Sequence, residues 1–407
     1  MGSRGTIGIL TGGGDVPGLN PAIRAVTVRA RQEGYRVIGI RRGWAGLVEM
    51  VPGPDADNRE HVLELTEGTV RRVGRTGGTF LHTSRTRPSH LPRSAVPDHL
   101  ADSYAEEVND VTPEVLRNLE FLGIDVLVPI GGDDTLSYGG RLHEEGVPVV
   151  AIPKTMDNDV PGTEYCIGFS TCVTRTIELV NRLRTSAGSH ERFLVVEVFG
   201  RYAGFTALVP AMAGAADRCV IPEHPFRLEH LAELLSEDRR NNPSRYSVTL
   251  VSEGATIAGD EEMTFEDGEA DQFGHRKLGG IGERVANGLK RISPRFEGGR
   301  SVNVVSQRLA YLVRSGDPDA LDAIVPTAFG HLAVDLILCG ELGRMVAVRD
   351  GVYDSVPVDV VTGSQKVVDV ERHYDTNALR PRYTGLMGEP LLISASRRGR
   401  QEFADAR

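Results

Sequence analysis

Residues 6–30 read TIGILTGGGDVPGLNPAIRAVTVRA, and the reading of this stretch decides the fold. Thr6–Leu10 is a short aliphatic run that ends in a glycine cluster and gives way to Leu19, Ile23, Val26 and Ala30 at helical spacing, with Gly34 beyond them. Asn20 is the expected helix cap, with Pro21 at the first helical position. A second β-branched run, Arg36–Ile40, completes one βαβ unit. The rhythm recurs, so further strands are expected at Asp125–Ile130, Pro148–Ile152, Phe193–Val198, Tyr246–Val251 and Met345–Val348. A later helix should bury one stripe made of Val173, Ile177, Val180 and Leu183. The chain therefore reads as α/β with mainly parallel sheets, and 407 residues at 40% hydrophobic content can fill the cores of two such domains.

Charge narrows the partners. Lys plus Arg number 46 and Asp plus Glu 56, a net charge of −10 that repels a phosphate backbone, so no nucleic-acid partner is expected. The apolar runs Phe193–Val198 and Phe205–Ala216 are too short or interrupted to cross a bilayer, and the first residues lack a signal-peptide core. No membrane partner is expected, and the location is expected to be cytoplasmic. The four cysteines, Cys166, Cys172, Cys219 and Cys339, lack zinc spacing and read as reduced packing residues. Two segments break the βα rhythm. Ser84–Pro113, rich in Pro, His and Arg, reads as a long surface loop with function or mobility. Ala255–Gly280 holds seven acidic residues between Asp260 and Asp271 and reads as a solvated excursion or lid.

The chemistry-bearing residues cluster just after the strands, where open α/β sheets bind ligands. Gly12, Gly13, Gly14, Asp15 and Gly18 open a helix whose bare amides suit an anion, although a plain tight turn has the same composition. The spacing is GxGxxxG rather than the dinucleotide GxGxxG, and Arg41 and Arg42, not an acid, follow the second strand. A Rossmann oxidoreductase is thereby disfavoured. Gly131, Gly132, Asp133, Asp134 and Thr135 put adjacent carboxylates at a turn, which suits Mg²⁺ shared with substrate phosphates or, equally, a solvated Asp-Asp turn. Pro153–Asp159 reads PKTMDND. It supplies a carboxylate for a hydroxyl proton, a cation for a moving phosphoryl group and further acids for a metal, unless it is only an Asx turn before Pro161. Phe199, Gly200 and Arg201 end one strand and Ser252, Glu253 and Gly254 another; an Arg and a Glu there suit a sugar phosphate and its hydroxyls, or a surface ion pair.

Taken in order, TGGGDVPGLN, GGDDT, PKTMDND, SHER, FGR, SEG and YLVRSGDP resemble the phosphofructokinase family over most of residues 6–350. The resemblance implies two Rossmann-like domains with the active site in the cleft between them, Mg²⁺ dependence, and phosphorylation of the C1 hydroxyl of fructose 6-phosphate. It places a donor domain at 1–165 plus about 313–355 and a sugar-phosphate domain at 166–312 plus about 356–407. By motif, Asp157 resembles the base, Thr155 and Asp159 its neighbours, Asp133 the Mg²⁺ carboxylate, Gly13 and Thr135 parts of the donor site, and Arg85 the arginine near the transferring phosphate. Phe199, Gly200, Arg201, Glu253, Tyr311 and Arg314 fall on the sugar-phosphate side, and Arg192 of SHER would reach it from a neighbouring subunit of a homodimer or homotetramer. A third arginine that the family sets before Tyr311 has no counterpart in motif.

Asp134 and Lys154 are the pair that the resemblance associates with pyrophosphate-dependent members. Asp134 would repel a nucleotide α-phosphate, and Tyr138 replaces a glycine beside which an adenine would lie. The expected reaction is therefore reversible phosphoryl transfer from pyrophosphate to fructose 6-phosphate, with an ATP-dependent phosphofructokinase as the alternative. A catalytically dead regulatory subunit is a further alternative, but the carboxylate at Asp157 and its neighbours are intact.

Overall fold

In the computed structural model, which describes residues 4–260, 263–265, 278–363 and 365–387, the strand Thr6–Thr11 lies inside a seven-stranded sheet. The order is Val352–Pro357, Arg344–Arg349, Val150–Pro153, Val126–Gly131, Thr6–Thr11, Arg36–Ile40 and Val62–Glu64. The pairings are parallel except at the two edges. Ile7 stands level with Val37 on one side and Val126 on the other, so the strand order reverses beside Thr6–Thr11. Loops after Thr11 and Gly131 thereby emerge side by side, the position where such sheets hold ligands.

This sheet belongs to a first compact unit, Met1–Thr155, Val160–Gly168 and Ser315–Gln365. Its first helix, Leu19–Gln32, buries Leu19, Ile23, Val26 and Ala30 as the spacing requires. Asn20 is not its cap. Gly18 takes that place at φ 111°, while the buried Asn20 side chain donates to the carbonyls of Thr76 and Gly77 and accepts the Phe80 N–H, tying down the 76–80 segment. Among the described residues one helix, Ala320–Cys339, is long and apolar enough to cross a bilayer by length and composition, beyond the apolar runs singled out in the sequence. It packs along Leu19–Gln32 and against the strands Val150–Pro153 and Arg344–Arg349, and it buries Asp322 completely, which explains its low polarity as that of a core helix.

The second unit is Met156–Asp159, Phe169–Arg314 and Lys366–Arg407. Its sheet is all parallel, in the order Val304–Arg308, Phe193–Val198, Ser247–Ser252 and Arg218–Val220. Every residue of Phe193–Val198 and Ser247–Ser252 is buried, as expected for central strands covered on both faces. The chain crosses between units after Thr155, Asp159, Gly168, Arg314 and Gln365, whereas the sequence reading drew single lines near 165, 313 and 355.

Three expectations need correction. Helix Phe169–Ser189 is rotated from its expected phase: it buries Thr171, Cys172, Thr176 and Val180, while Val173, Ile177 and Leu183 are only half-buried. Ser84–Pro113 is not one open loop. It folds through the short turns Pro88–His90, Arg93–Ala95 and Asp98–Leu100 and a two-residue ladder of Leu91–Pro92 with Val108–Asn109, and it buries Leu91, Leu100 and Val111. Of the cysteines, none of which is in a disulfide, Cys166, Cys172 and Cys219 are buried, but Cys339 is exposed. Most of the acidic stretch Asp260–Asp271 lies outside the described residues; Asp260 itself pairs with Arg284.

Candidate active site

In the first unit, four loops meet at the reversal of strand order. Gly12 donates its N–H to the Ile130 carbonyl at 3.0 Å, and a side chain at Gly12 or Gly131 would collide with Thr135. Thr135 is accordingly buried as a plug between the two glycine loops, and packing is its visible role. Gly13, at φ 78°, donates to the Ser84 carbonyl at 2.8 Å, and Thr83 donates back to the Gly13 carbonyl at 2.6 Å. The exposed Arg85 is thereby held next to the glycine loop. Lys154 has 3% exposure, and its ammonium donates to the Gly14 carbonyl at 2.6 Å. The same nitrogen is 3.2 Å from the position a Cβ would take on Gly13, so it sits directly beneath the loop. Its main chain is anchored by donation to the Gly131 carbonyl at 2.8 Å. A fixed cation under a glycine loop at a helix start is a cradle for a small, highly charged anion.

Asp133 and Asp134 begin the helix Asp133–Glu144 and are both exposed, where acids complement the helix dipole. Asp134 is paired with Arg87 at 2.6 Å, a partner the motif reading missed because Arg87 lies outside every quoted motif. Tyr138 does not face a ligand space. It is buried against Trp44, with ring centroids 4.8 Å apart, and donates to Thr112 at 3.1 Å, so its expected role as a block to adenine is withdrawn. Arg42 is engaged by Glu49 and His61, and Arg41 by His82, which leaves neither as a pocket for a ribose 2′-phosphate.

In the second unit, the turns Phe199–Arg201 and Glu253–Gly254 follow adjacent parallel strands and lock together. Glu253 donates its N–H to the Val198 carbonyl at 2.9 Å and Gly254 to the Gly200 carbonyl at 3.1 Å. A Cβ on Gly254 would stand 1.9 Å from the Arg201 carbonyl oxygen, so only glycine permits the approach. Around them gather Asp157, Asp159, Arg201 and Arg314, whose charges act on one another. Burial, then repulsion from Asp159 and Glu253, holds the Asp157 carboxyl well above the ordinary carboxylate range, against the pull of Arg314 and Arg201. Burial likewise pushes Glu253 up to about 7, although Arg201, Arg308 and Arg314 oppose it. Next to Asp157, Asn158 is buried in a left-handed conformation at φ 55°, a strained turn of the kind that clusters at functional sites.

Arg308 was not among the expected residues. It lies at the end of Val304–Arg308, where it pairs with the buried Glu197 at 3.1 Å and donates to the Leu278 carbonyl at 2.9 Å, so that a third guanidinium acts on Glu253. No motif marks it, since only strand pairing brings it alongside Glu197. Arg192 is not brought to this constellation within one chain. It precedes Phe193–Val198 while Phe199–Arg201 follows it, and a six-residue strand separates its ends by about 20 Å.

A buried lysine under a glycine loop in one α/β unit and a buried carboxylate among arginines in the other are groups with the chemistry that a phosphotransferase uses. The phosphofructokinase family model matches residues 6–337, and the chain belongs to that family. It is 39% identical over 365 residues, 89% of this chain and 96% of the relative, to a pyrophosphate–fructose 6-phosphate 1-phosphotransferase of Streptomyces coelicolor. It is also 35% identical over 374 residues, 92% of this chain and 99% of the relative, to ATP-dependent 6-phosphofructokinase 3 of the same organism. In fold it is similar to a solved structure from Nitrosospira multiformis, at a TM-score of 0.72 and 16% identity, with 96% of this chain and 92% of that one covered. Phosphofructokinase-type phosphoryl transfer is thus the activity at family level, while relatives of near-equal identity carry both donor names.

Proposed function

We propose that the chain transfers a phosphoryl group from pyrophosphate to the C1 hydroxyl of fructose 6-phosphate, in a reversible reaction that yields fructose 1,6-bisphosphate and phosphate. The observation that carries the donor assignment is the buried Lys154 ammonium braced on Gly14 beneath the glycine loop. A point charge fixed there suits the compact, dense charge of pyrophosphate, and Asp134 disfavours a donor that extends past it. Asp157 takes the hydroxyl proton as the sugar oxygen bonds to phosphorus and the bridging P–O bond of the donor breaks. Its raised affinity for protons makes it a competent acceptor once ionised. Arg201, Glu253 and Arg314 hold the sugar phosphate and its hydroxyls, Arg85, Gly13 and Lys154 hold the donor, and Arg192 serves a neighbouring subunit.

Among the described residues no group of three His, Cys, Asp or Glu side chains is poised to hold a metal. Asp133 offers an exposed carboxylate at the donor loop, beside Asp134, which pairs with Arg87; such a donor set fits Mg²⁺, which commonly binds through one or two carboxylates and the substrate's own phosphates. Bound there, Mg²⁺ would neutralise charge on the transferring group.

The second reading, ATP as donor, is supported by the Arg87 pairing, which offsets the charge of Asp134. A coupled assay with fructose 6-phosphate and Mg²⁺ decides between them: higher kcat/KM with pyrophosphate is expected, and a preference for ATP would overturn the donor assignment.

A further inference from the structure

Phe199 and Tyr311 lie where a sugar phosphate is expected to bind, and the resemblance counts them as its contacts. The geometry points to a different role, in which the two rings clamp the guanidinium of Arg314 and so act as positioning residues for the cation of the pocket. The guanidinium carbon of Arg314 is 5.9 Å from the Phe199 ring centroid and 5.7 Å from that of Tyr311, both within cation–π reach. Arg314 has 8% exposure while Tyr311 has 62%, so the tyrosine is an outer cover over an arginine withdrawn from water. That is the setting in which a cation–π contact is strongest.

Each ring is placed by backbone, independently of any ligand. Arg314 follows the 3₁₀ turn Ala310–Val313 and donates its N–H to the Tyr311 carbonyl at 3.3 Å. In that geometry side chains three residues apart stack over one another. Phe199 arrives from the end of another strand, and its carbonyl accepts a hydrogen bond from the Thr206 hydroxyl. Gly200 then turns at φ 115°. The clamp matters to the site because Arg314 acts on both Asp157 and Glu253: a guanidinium free to swing would leave both carboxylates less compensated.

The clamp concerns the protein alone, whereas its consequence for catalysis rests on the proposed function; two measurements separate them. Phenylglyoxal labelling of Arg314 in the protein without substrate, read by peptide mass spectrometry, reports how firmly the guanidinium is held. Phe199→Leu and Tyr311→Leu should each raise the Arg314 labelling rate about 3- to 30-fold, the weight of one cation–π contact from the exposed to the desolvated limit. Phe199→Trp and Tyr311→Phe should keep the rate within about twofold of wild type, because the π-face is retained. Tyr311 is exposed, so its variants test the idea even where a Phe199 variant fails to fold. Wild-type labelling rates in both leucine variants would overturn the clamp. In the coupled assay the leucine variants should raise KM for fructose 6-phosphate by a similar factor with a smaller change in kcat. Faster labelling with unchanged KM would leave the clamp standing and refute the assignment of the sugar phosphate to this pocket.

Discussion

Replacing Asp134 tests the donor assignment most directly, and the pairing with Arg87 sets the size of the effect. An isolated carboxylate about 6 Å from a donor phosphate repels it by roughly 3 kcal/mol at an effective dielectric of 20, or about two decades in affinity. Asp134 is not isolated: a guanidinium nitrogen of Arg87 lies 2.6 Å from its oxygen. With that cation some 2–3 Å farther from the donor, the attraction is about 2 kcal/mol, so the pair repels by less than about 1 kcal/mol net. Side chains 41% and 58% exposed are screened further, which makes this an upper bound. Asp134→Gly removes the carboxylate's repulsion and leaves the Arg87 cation to attract the donor, so it should raise kcat/KM for ATP by up to about a hundredfold. Arg87→Ala should lower it by up to about 30-fold by unmasking the carboxylate, and the double variant, which lacks both charges, should exceed wild type only about fourfold. Kinetics of the four proteins with ATP and with pyrophosphate, at low and high salt, complete the cycle. A double variant that gains a hundredfold, or an Arg87→Ala variant that leaves the ATP rate unchanged, would refute the pairing argument.

Further outcomes follow from the acceptor constellation. Asp157→Asn should lower kcat by about 10² to 10⁴ with KM little changed, as measured in steady-state assays. The same change should raise the melting temperature at neutral pH: a carboxyl with a raised native pKa contributes stability below its unfolded value, and that contribution is lost as pH rises through the native one. Because Glu253 is pushed up to about 7, kcat/KM for the sugar phosphate should fall as pH drops through about 7, and Glu253→Gln should lose that limb of the profile. Arg192→Ala should raise KM for fructose 6-phosphate, and mixing it with Asp157→Ser protein under conditions of subunit exchange should recover activity; verified hybrids without recovery would count against a role across an interface.

Much of both sheets was legible as short apolar runs ending in glycine or charge. The strands that escaped notice have physical reasons to do so. Arg218–Val220 is only three residues long, Val304–Arg308 is an edge strand with Ser306, Gln307 and Arg308 on it, and Val352–Pro357 closes a sheet edge with exposed Val352 and Tyr353. Single-face periodicity also misplaced the buried stripe of Phe169–Ser189, since the small polar residues Thr171 and Thr176 pack there, and the Thr176 hydroxyl is satisfied inside the helix by donating to the Cys172 carbonyl at 2.8 Å.

Residue type and order suffice for the catalytic vocabulary: a glycine loop, paired carboxylates, PKTMDND and the turns that follow central strands carry their chemistry in local composition. What local composition cannot contain is which charges share a space. Asp134 with Arg87, Arg308 with Glu197, and Arg314 with the rings of Phe199 and Tyr311 are all separated in sequence by far more than a turn, save Tyr311 itself. The opposite holds for Tyr138, whose helix position looks ligand-facing in sequence until the burial of Trp44 beside it turns the ring into the core. Electrostatic energy depends on distance and on the water excluded between groups, and both are properties of the folded chain alone.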